Sequence, residues 1–231
     1  LVPGLKAEGL KGALAFDEWW VDPLQLVSRN LDSAVRHGAE VRAGTPVDRL
    51  LLSKGRVEGV RAGGRNIRAG MVISAAGPWV DQIARLAGTS IPLRLQKGTH
   101  LIYQKRLVPV GLLLEAAGGG RYVFVIPSDK GTLVGPSDLP WPQGPDAVST
   151  STEELRYLLD SVRPYFKGFP ERYDSTIVGA RPILGQAGSE KLLSREYEVF
   201  DHSQRDGIEG FLTIGGGKMS DFGIMAEAVT T

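Results

Sequence analysis

Three consecutive glycines, Gly215-Gly216-Gly217, constrain this chain more than any other feature. The apolar run Gly210-Phe211-Leu212-Thr213-Ile214, with two β-branched residues, enters them, and Lys218-Met219-Ser220 followed by Asp221, Phe222, Ile224 and Met225 leaves them. The predicted form is strand, tight turn, helix. Glycines there let backbone approach a ligand with no Cβ in the way. The first N–H groups of the helix and the Lys218 ammonium then make an electropositive end for something flat or anionic. The plainer reading is a helix-capping turn with a solvated lysine, because the pattern fits neither Gly-x-Gly-x-x-Gly nor Gly-x-x-x-x-Gly-Lys-Ser/Thr.

From the start of the chain, Ala13-Leu14-Ala15-Phe16 and Trp19-Trp20-Val21 read as one bulged strand. A helix follows. Asp22 is the N-cap, Pro23 takes the first helical position, Leu24, Val27, Leu31, Ala34 and Val35 repeat at helical spacing, and Gly38 stops it after His37. Residues 40–52 alternate into a strand, 57–60 return, Gly63-Gly64 turns again, and Met71-Val72-Ile73-Ser74-Ala75 is an apolar strand predicted to be buried. Ala76-Gly77-Pro78-Trp79 turns into a helix bearing Val80, Ile83, Ala84 and Ala87. Small residues between strand and helix suit either a close-lying ligand or tight packing.

Between Pro92 and Val134 the alternation is that of antiparallel sheet, then residues 136–148 form a loop rich in proline and glycine. Ser151-Thr152-Glu153-Glu154 is a capping box ahead of Leu155, Leu158, Leu159 and Val162. Strands are predicted at 175–180, leading to Arg181-Pro182, and at 196–200. This order gives an α/β (α+β) chain in which an antiparallel region, 89–205, is inserted between two pieces of an α/β region, 1–88 and 206–231.

Composition narrows the function classes. Of 231 residues, 27 are Lys or Arg and 26 are Asp or Glu, so a formal charge of +1 gives no electrostatic case for nucleic acid or an acidic membrane face. With no cysteine there is no disulfide, thiolate metal site or cysteine nucleophile, and the three histidines show no ligand spacing, so no metal is expected. No apolar run reaches the roughly 18 residues of a membrane span. The chain starts without methionine and runs out inside an apparent helix, and the expectation is a piece of a longer protein in the cytoplasm, at most peripheral to the inner face of the cell membrane.

Eight stretches, in order, resemble the FAD-dependent glycerol-3-phosphate dehydrogenases within the D-amino-acid-oxidase-like flavoprotein family. They are Trp20-Val21-Asp22-Pro23, Ala75-Ala76-Gly77-Pro78-Trp79-Val80, Lys97-Gly98-Thr99-His100, Val123-Phe124-Val125-Ile126-Pro127, Gly179-Ala180-Arg181-Pro182, Arg195-Glu196-Tyr197, Asp201-His202 and Gly215-Gly216-Gly217-Lys218. The resemblance implies a remnant of a Rossmann-like FAD-binding domain carrying an antiparallel substrate domain. It implies that Val47 meets the adenine and that Ala76 and Gly77 pass the adenosine and pyrophosphate. It further implies that Gly216, Gly217, Lys218 and Met219 face the flavin's pyrimidine edge, with Lys218 catalytic through its charge. Arg181 and Arg195 would bind substrate oxygens and phosphate, Arg181 from a rigid strand end aimed into a cleft between the two domains.

The implied reaction is oxidation of sn-glycerol 3-phosphate to dihydroxyacetone phosphate by hydride transfer to flavin N5, with electrons passed to a quinone or partner subunit. His100 is available as the base, or is a strand histidine with an ordinary hydrogen bond. The family's N-terminal Gly-x-Gly-x-x-Gly turn is absent from this sequence. Its usual Leu-Thr-Thr-Tyr-Arg and Gly-Thr-Thr-Asp are replaced by Met219-Ser220-Asp221-Phe222-Gly223 and Gly135-Pro136-Ser137-Asp138. Amine or 2-hydroxy-acid oxidation and a non-catalytic binding module are the alternatives.

Overall fold

The computed structural model of the chain describes residues 2–185 and 196–230. Its Cα packing defines two units, an antiparallel-sheet unit of Leu1–Ala13 with Arg94–Pro182 and an α/β unit of Leu14–Leu93 with Ile183–Thr231.

In the α/β unit, helix α1 (Pro23–Arg36) starts where expected. Asp22 accepts from the N–H groups of Leu24 and Gln25, Pro23 occupies the first turn, and His37 caps the other end. Residues 13–21 correct the expected bulged strand. They have no regular structure, and Leu14 and Trp19 are 95% and 94% exposed. A strand exists only by pairing, and a run of aromatic and apolar residues with no ladder partner stays irregular. Strands β1 (Val47–Ser53), β2 (Arg56–Ala62) and β3 (Arg65–Arg68) form a meander. The short charged β3 has none of the apolar alternation that sequence reading relies on, and it was not expected; β1 begins only at Val47 rather than near residue 40.

Strand β4 (Val72–Ser74) stands apart from the meander and is paired in parallel to the later strand at Phe211–Gly216. It is an edge strand with Ile73 exposed, which corrects the expectation of a strand buried throughout. The chain then passes a 3-10 turn (Gly77–Trp79) into α2 (Val80–Arg85), whose Val80 and Ala84 are buried.

The antiparallel-sheet unit is built from β5 (Leu93–Tyr103), β6 (Leu112–Glu115), β7 (Tyr122–Ser128), β8 (Gly131–Gly135), β9 (Leu139–Pro140) and β10 (Ser175–Leu184), in the order β10-β5-β8-β7-β6 with β9 added on β5. Helix α3 (Thr152–Val162) covers it, and Leu101, Val123, Val125, Val134, Leu158, Val162, Phe166 and Phe169 make its core. Returning to the α/β unit, β11 (Tyr197–Asp201), α4 (His202–Asp206), β12 (Phe211–Gly216) and α5 (Phe222–Ala228) complete the described chain. β12 lies between antiparallel β11 and parallel β4.

These units break elsewhere than at residues 88 and 205. Residues 1–13 pack with the sheet because Leu5 bridges Phe166 and Lys6 N–H donates to the Tyr165 carbonyl. Residues from 183 onward join the α/β unit because Leu184 and Phe200 share a core with Val80, Ala84 and Ile91. The mixed α/β class with an antiparallel sheet is as expected.

Candidate functional site

In the antiparallel-sheet unit, Arg181 on β10 sits in a cluster assembled by β5 and the segment 135–138. Its Nη1 pairs with Asp138 Oδ1 at 2.8 Å, both groups being partly exposed. Gly98 on β5 has no unusual φ. It is a glycine because a Cβ there would stand 3.0 Å from Arg181 Nη2 and 3.2 Å from Pro136 Cβ. His100, two residues along and so on the same face of β5, packs against Gly135, where a Cβ would fall 2.6 Å from the imidazole. Burial, and after it the Arg181 charge, push His100 down to about 4. At neutral pH the ring is therefore an uncharged imidazole, able to accept a proton, beside a guanidinium able to hold an anion. Sequence reading named Arg181 but gave His100 no firm role. The signal it lacked was the contact with residue 135, which only the fold supplies.

Beneath this pair lies a buried polar network. Lys97 Nζ reaches Glu154 Oε2 at 2.6 Å and donates to the Ser149 carbonyl at 2.8 Å, with the Trp141 ring 4.2 Å away. Glu154 Oε1 accepts from the hydroxyls of Thr99 (3.0 Å) and Ser137 (2.6 Å), while Oε2 also accepts from Ser151 N–H. Burial alone would raise the Glu154 carboxyl. The hydrogen bonds from Lys97, Ser137, Ser151 and Thr99 together hold it below the usual carboxylate range.

In the α/β unit, the parallel register pairs Phe211 with Val72 and Thr213 with Ser74. Both strands therefore end at one edge, and the Ala76-Gly77 and Gly216-Gly217 turns emerge side by side there. Ligands in α/β folds bind at the carboxyl ends of parallel strands. Gly77 adopts φ +54°, and a Cβ on it would meet nothing. Ser74, 6% exposed, has the one buried side-chain oxygen among the described residues that lacks a hydrogen-bond partner, and it lies three residues before that open glycine. The glycine run has a different logic. A Cβ on Gly216 would be 2.4 Å from the Glu196 carbonyl, and one on Gly217 (φ +79°) 2.5 Å from Met225 Sδ. These glycines are demanded by the chain entering β11 and by α5. Lys218 and Met219, just beyond them, are exposed, and Lys218 has no side-chain partner among the described residues.

A family model described as FAD dependent oxidoreductase (DAO) matches residues 1–219. The chain belongs to the FAD-dependent oxidoreductase family. Among curated members, the aerobic glycerol-3-phosphate dehydrogenase of Staphylococcus aureus (strain USA300) is 30% identical, over 98% of this chain and 42% of that protein. A solved structure of the glycerol-3-phosphate dehydrogenase from Bacillus halodurans complexed with FAD superposes with a TM-score of 0.76 at 25% identity, covering 89% of this chain and 41% of that one. Glycine oxidase from Bacillus cereus, at 18% identity and a TM-score of 0.59, shares the fold. The chain thus spans about two fifths of the length of the dehydrogenases it matches.

Against that membership, the residues singled out in the sequence fall into separate places. Ala76, Gly77, Gly216, Gly217, Lys218 and Met219 belong to one sheet edge of the α/β unit. Val47 opens the meander opposite Ala62. Arg181 belongs to the antiparallel-sheet unit, and Arg195 lies outside the described residues. Of the two segments that depart from the family's usual wording, 135–138 keeps its aspartate, and that aspartate holds Arg181. In the other, Ser220 Oγ donates to Asp221 Oδ1 at 2.9 Å. Among the described residues no helix is long and apolar enough to cross a membrane.

Proposed function

We propose that the protein is part of an FAD-dependent glycerol-3-phosphate dehydrogenase, which oxidises sn-glycerol 3-phosphate to dihydroxyacetone phosphate and passes electrons to a quinone or a partner subunit. The observation that carries this reading is the neutral His100 beside Arg181, a proton acceptor next to an anion holder, in a chain whose relatives include aerobic glycerol-3-phosphate dehydrogenases.

The residues present fit the cofactor at the edge shared by β4 and β12. The open left-handed Gly77 and the unpartnered Ser74 oxygen leave room and hydrogen-bonding capacity there. Ala76, Gly77, Lys218 and Met219 would hold FAD, with Gly216 and Gly217 shaping the turn and Val47 contributing backbone. Bound FAD would supply the two-electron acceptor for alcohol oxidation.

The chain's own contribution is positioning and charge. Arg181 would orient the substrate through a planar fork of donors, which a lysine does not reproduce. His100 Nε2 or Nδ1 would take the proton leaving the hydroxyl; with its pKa near 4 the ring is uncharged and so free to accept at neutral pH, though a weaker base than an ordinary histidine. Lys218 would place a positive charge where negative charge collects on reduction, and a preorganised charge of that kind is worth about 3 kcal/mol.

Anaerobic mixing of the full-length enzyme with candidate substrates tests the reading through loss of the flavin's visible absorbance. Glycerol 3-phosphate should bleach it at the lowest concentration. Bleaching by glycine or a 2-hydroxy acid with no response to glycerol 3-phosphate would assign the chain to a different branch of its family.

A further inference from the structure

We propose that Glu154, in the first turn of α3, is a positioning residue for the Arg181–His100 pair, acting through the segment 135–138. The inference rests on the reading of those two residues as substrate-facing. A capping-box glutamate needs only to accept from the N-cap N–H, a task met at a solvent-exposed helix end. Glu154 does this with Ser151 and is nevertheless 1% exposed, accepting from Lys97, Thr99 and Ser137 as well.

The consequence runs through Ser137. Its Oγ donates to Glu154 and accepts from Thr99 N–H at 3.0 Å, while its own N–H donates to the Thr99 carbonyl at 3.2 Å. The residue after it, Asp138, is held at φ +54° and pairs with Arg181. Two residues before it, Gly135 lies against the His100 ring. A single carboxylate thus pins the middle of a four-residue segment whose two ends touch the two functional side chains. Burying an ion pair is a poor way to gain stability, because desolvation offsets most of the attraction. What it does supply is a unique arrangement: each oxygen of Glu154 has assigned donors, and a slipped segment would leave them unsatisfied.

The test reads His100 directly. Its ring protons are followed by NMR across pH in the full-length protein and assigned by their loss in His100→Gln. Three variants are compared with wild type: Glu154→Gln, Ser137→Ala, and Leu158→Ala as a core-destabilising control in α3. The expected result is that Glu154→Gln and Ser137→Ala each raise the His100 midpoint by a unit or more, a tenfold gain in proton affinity, as water reaches the ring and Arg181 shifts. Ser137→Thr, which keeps the hydroxyl, should restore it, and Leu158→Ala should lower the melting temperature without moving the midpoint. If Glu154→Gln does not fold, Ser137→Ala decides alone. An unchanged midpoint in Ser137→Ala, or an equal shift in Leu158→Ala, would overturn the proposal. Neither substrate nor cofactor enters this measurement, so it fails or succeeds separately from the substrate screen.

Discussion

Helix α3 of the antiparallel-sheet unit buries Leu158 and Val162 completely and sinks even Glu154, whereas α1 of the α/β unit, three residues longer and also amphipathic, buries nothing. Both were legible from sequence because their signals are local: Asp22-Pro23 at one start, the Ser151–Glu154 capping box at the other. The difference shows that periodicity fixes a helix and its apolar face but not what covers that face. In α3 the apolar face joins the core of Leu101, Val123 and Val125. In α1, Leu24, Val27, Leu31 and Val35 are all exposed, as are the neighbouring Phe16, Trp19 and Trp20. The exposed set is a continuous stretch of sequence, and the covered set is gathered from β5, β6, β7 and β8, helix α3 and the segments beside them.

The largest expected effect sharpens the covered side. Lys97→Met leaves the buried Glu154 carboxylate without its cation, and the sheet unit should lose about 3–5 kcal/mol in denaturant unfolding. The exposed pair Arg68–Glu58 should yield about 0–1 kcal/mol to the same treatment. Equal losses would mean that burial does not distinguish the two pairs.

Acid comes next. His100 binds its proton less readily folded than unfolded, so the unfolded state takes up more protons between about pH 6.5 and 4. Stability should therefore be intact above about 6.5 and fall as pH drops toward 4, by on the order of 3 kcal/mol at most, with His100→Gln removing the slope. A slope that persists in His100→Gln would assign it to other groups.

On the uncovered side the effects should be small. Asp22→Ala deletes an N-cap with two acceptor contacts and should cost about 1 kcal/mol of α1 stability, read by hydrogen exchange along the helix. Leu31→Ala should change the stability of the 231-residue chain by less than about 0.5 kcal/mol, against about 2–5 kcal/mol for Leu158→Ala. A loss at Leu31 as large as at Leu158 would mean that the apolar face of α1 is covered.

What sequence could not show follows the same divide between local and distant. The strand expected at residues 13–21 rested on composition, and a strand needs a partner that composition does not name. The glycine run was read as room for a ligand, yet the room at Gly216 and Gly217 is taken by the Glu196 carbonyl and Met225, neighbours fixed by pairing and helix return. Arg181 was singled out by its resemblance to a family motif. Its link to Asp138, 43 positions away, is a tertiary fact with no local signature, and so are the contacts of Glu154 with Lys97, Thr99 and Ser137. Family membership was legible because it is spread over the whole chain in small matching pieces.

Arg181 is proposed to hold the substrate's anionic group, and reductive titration of the full-length enzyme with glycerol 3-phosphate, in wild type and Arg181→Lys, reads that role. The expected substrate affinity is about 5- to 150-fold weaker in Arg181→Lys, the 1–3 kcal/mol of a lost charged fork, with FAD still bound. An affinity within twofold of wild type would contradict it.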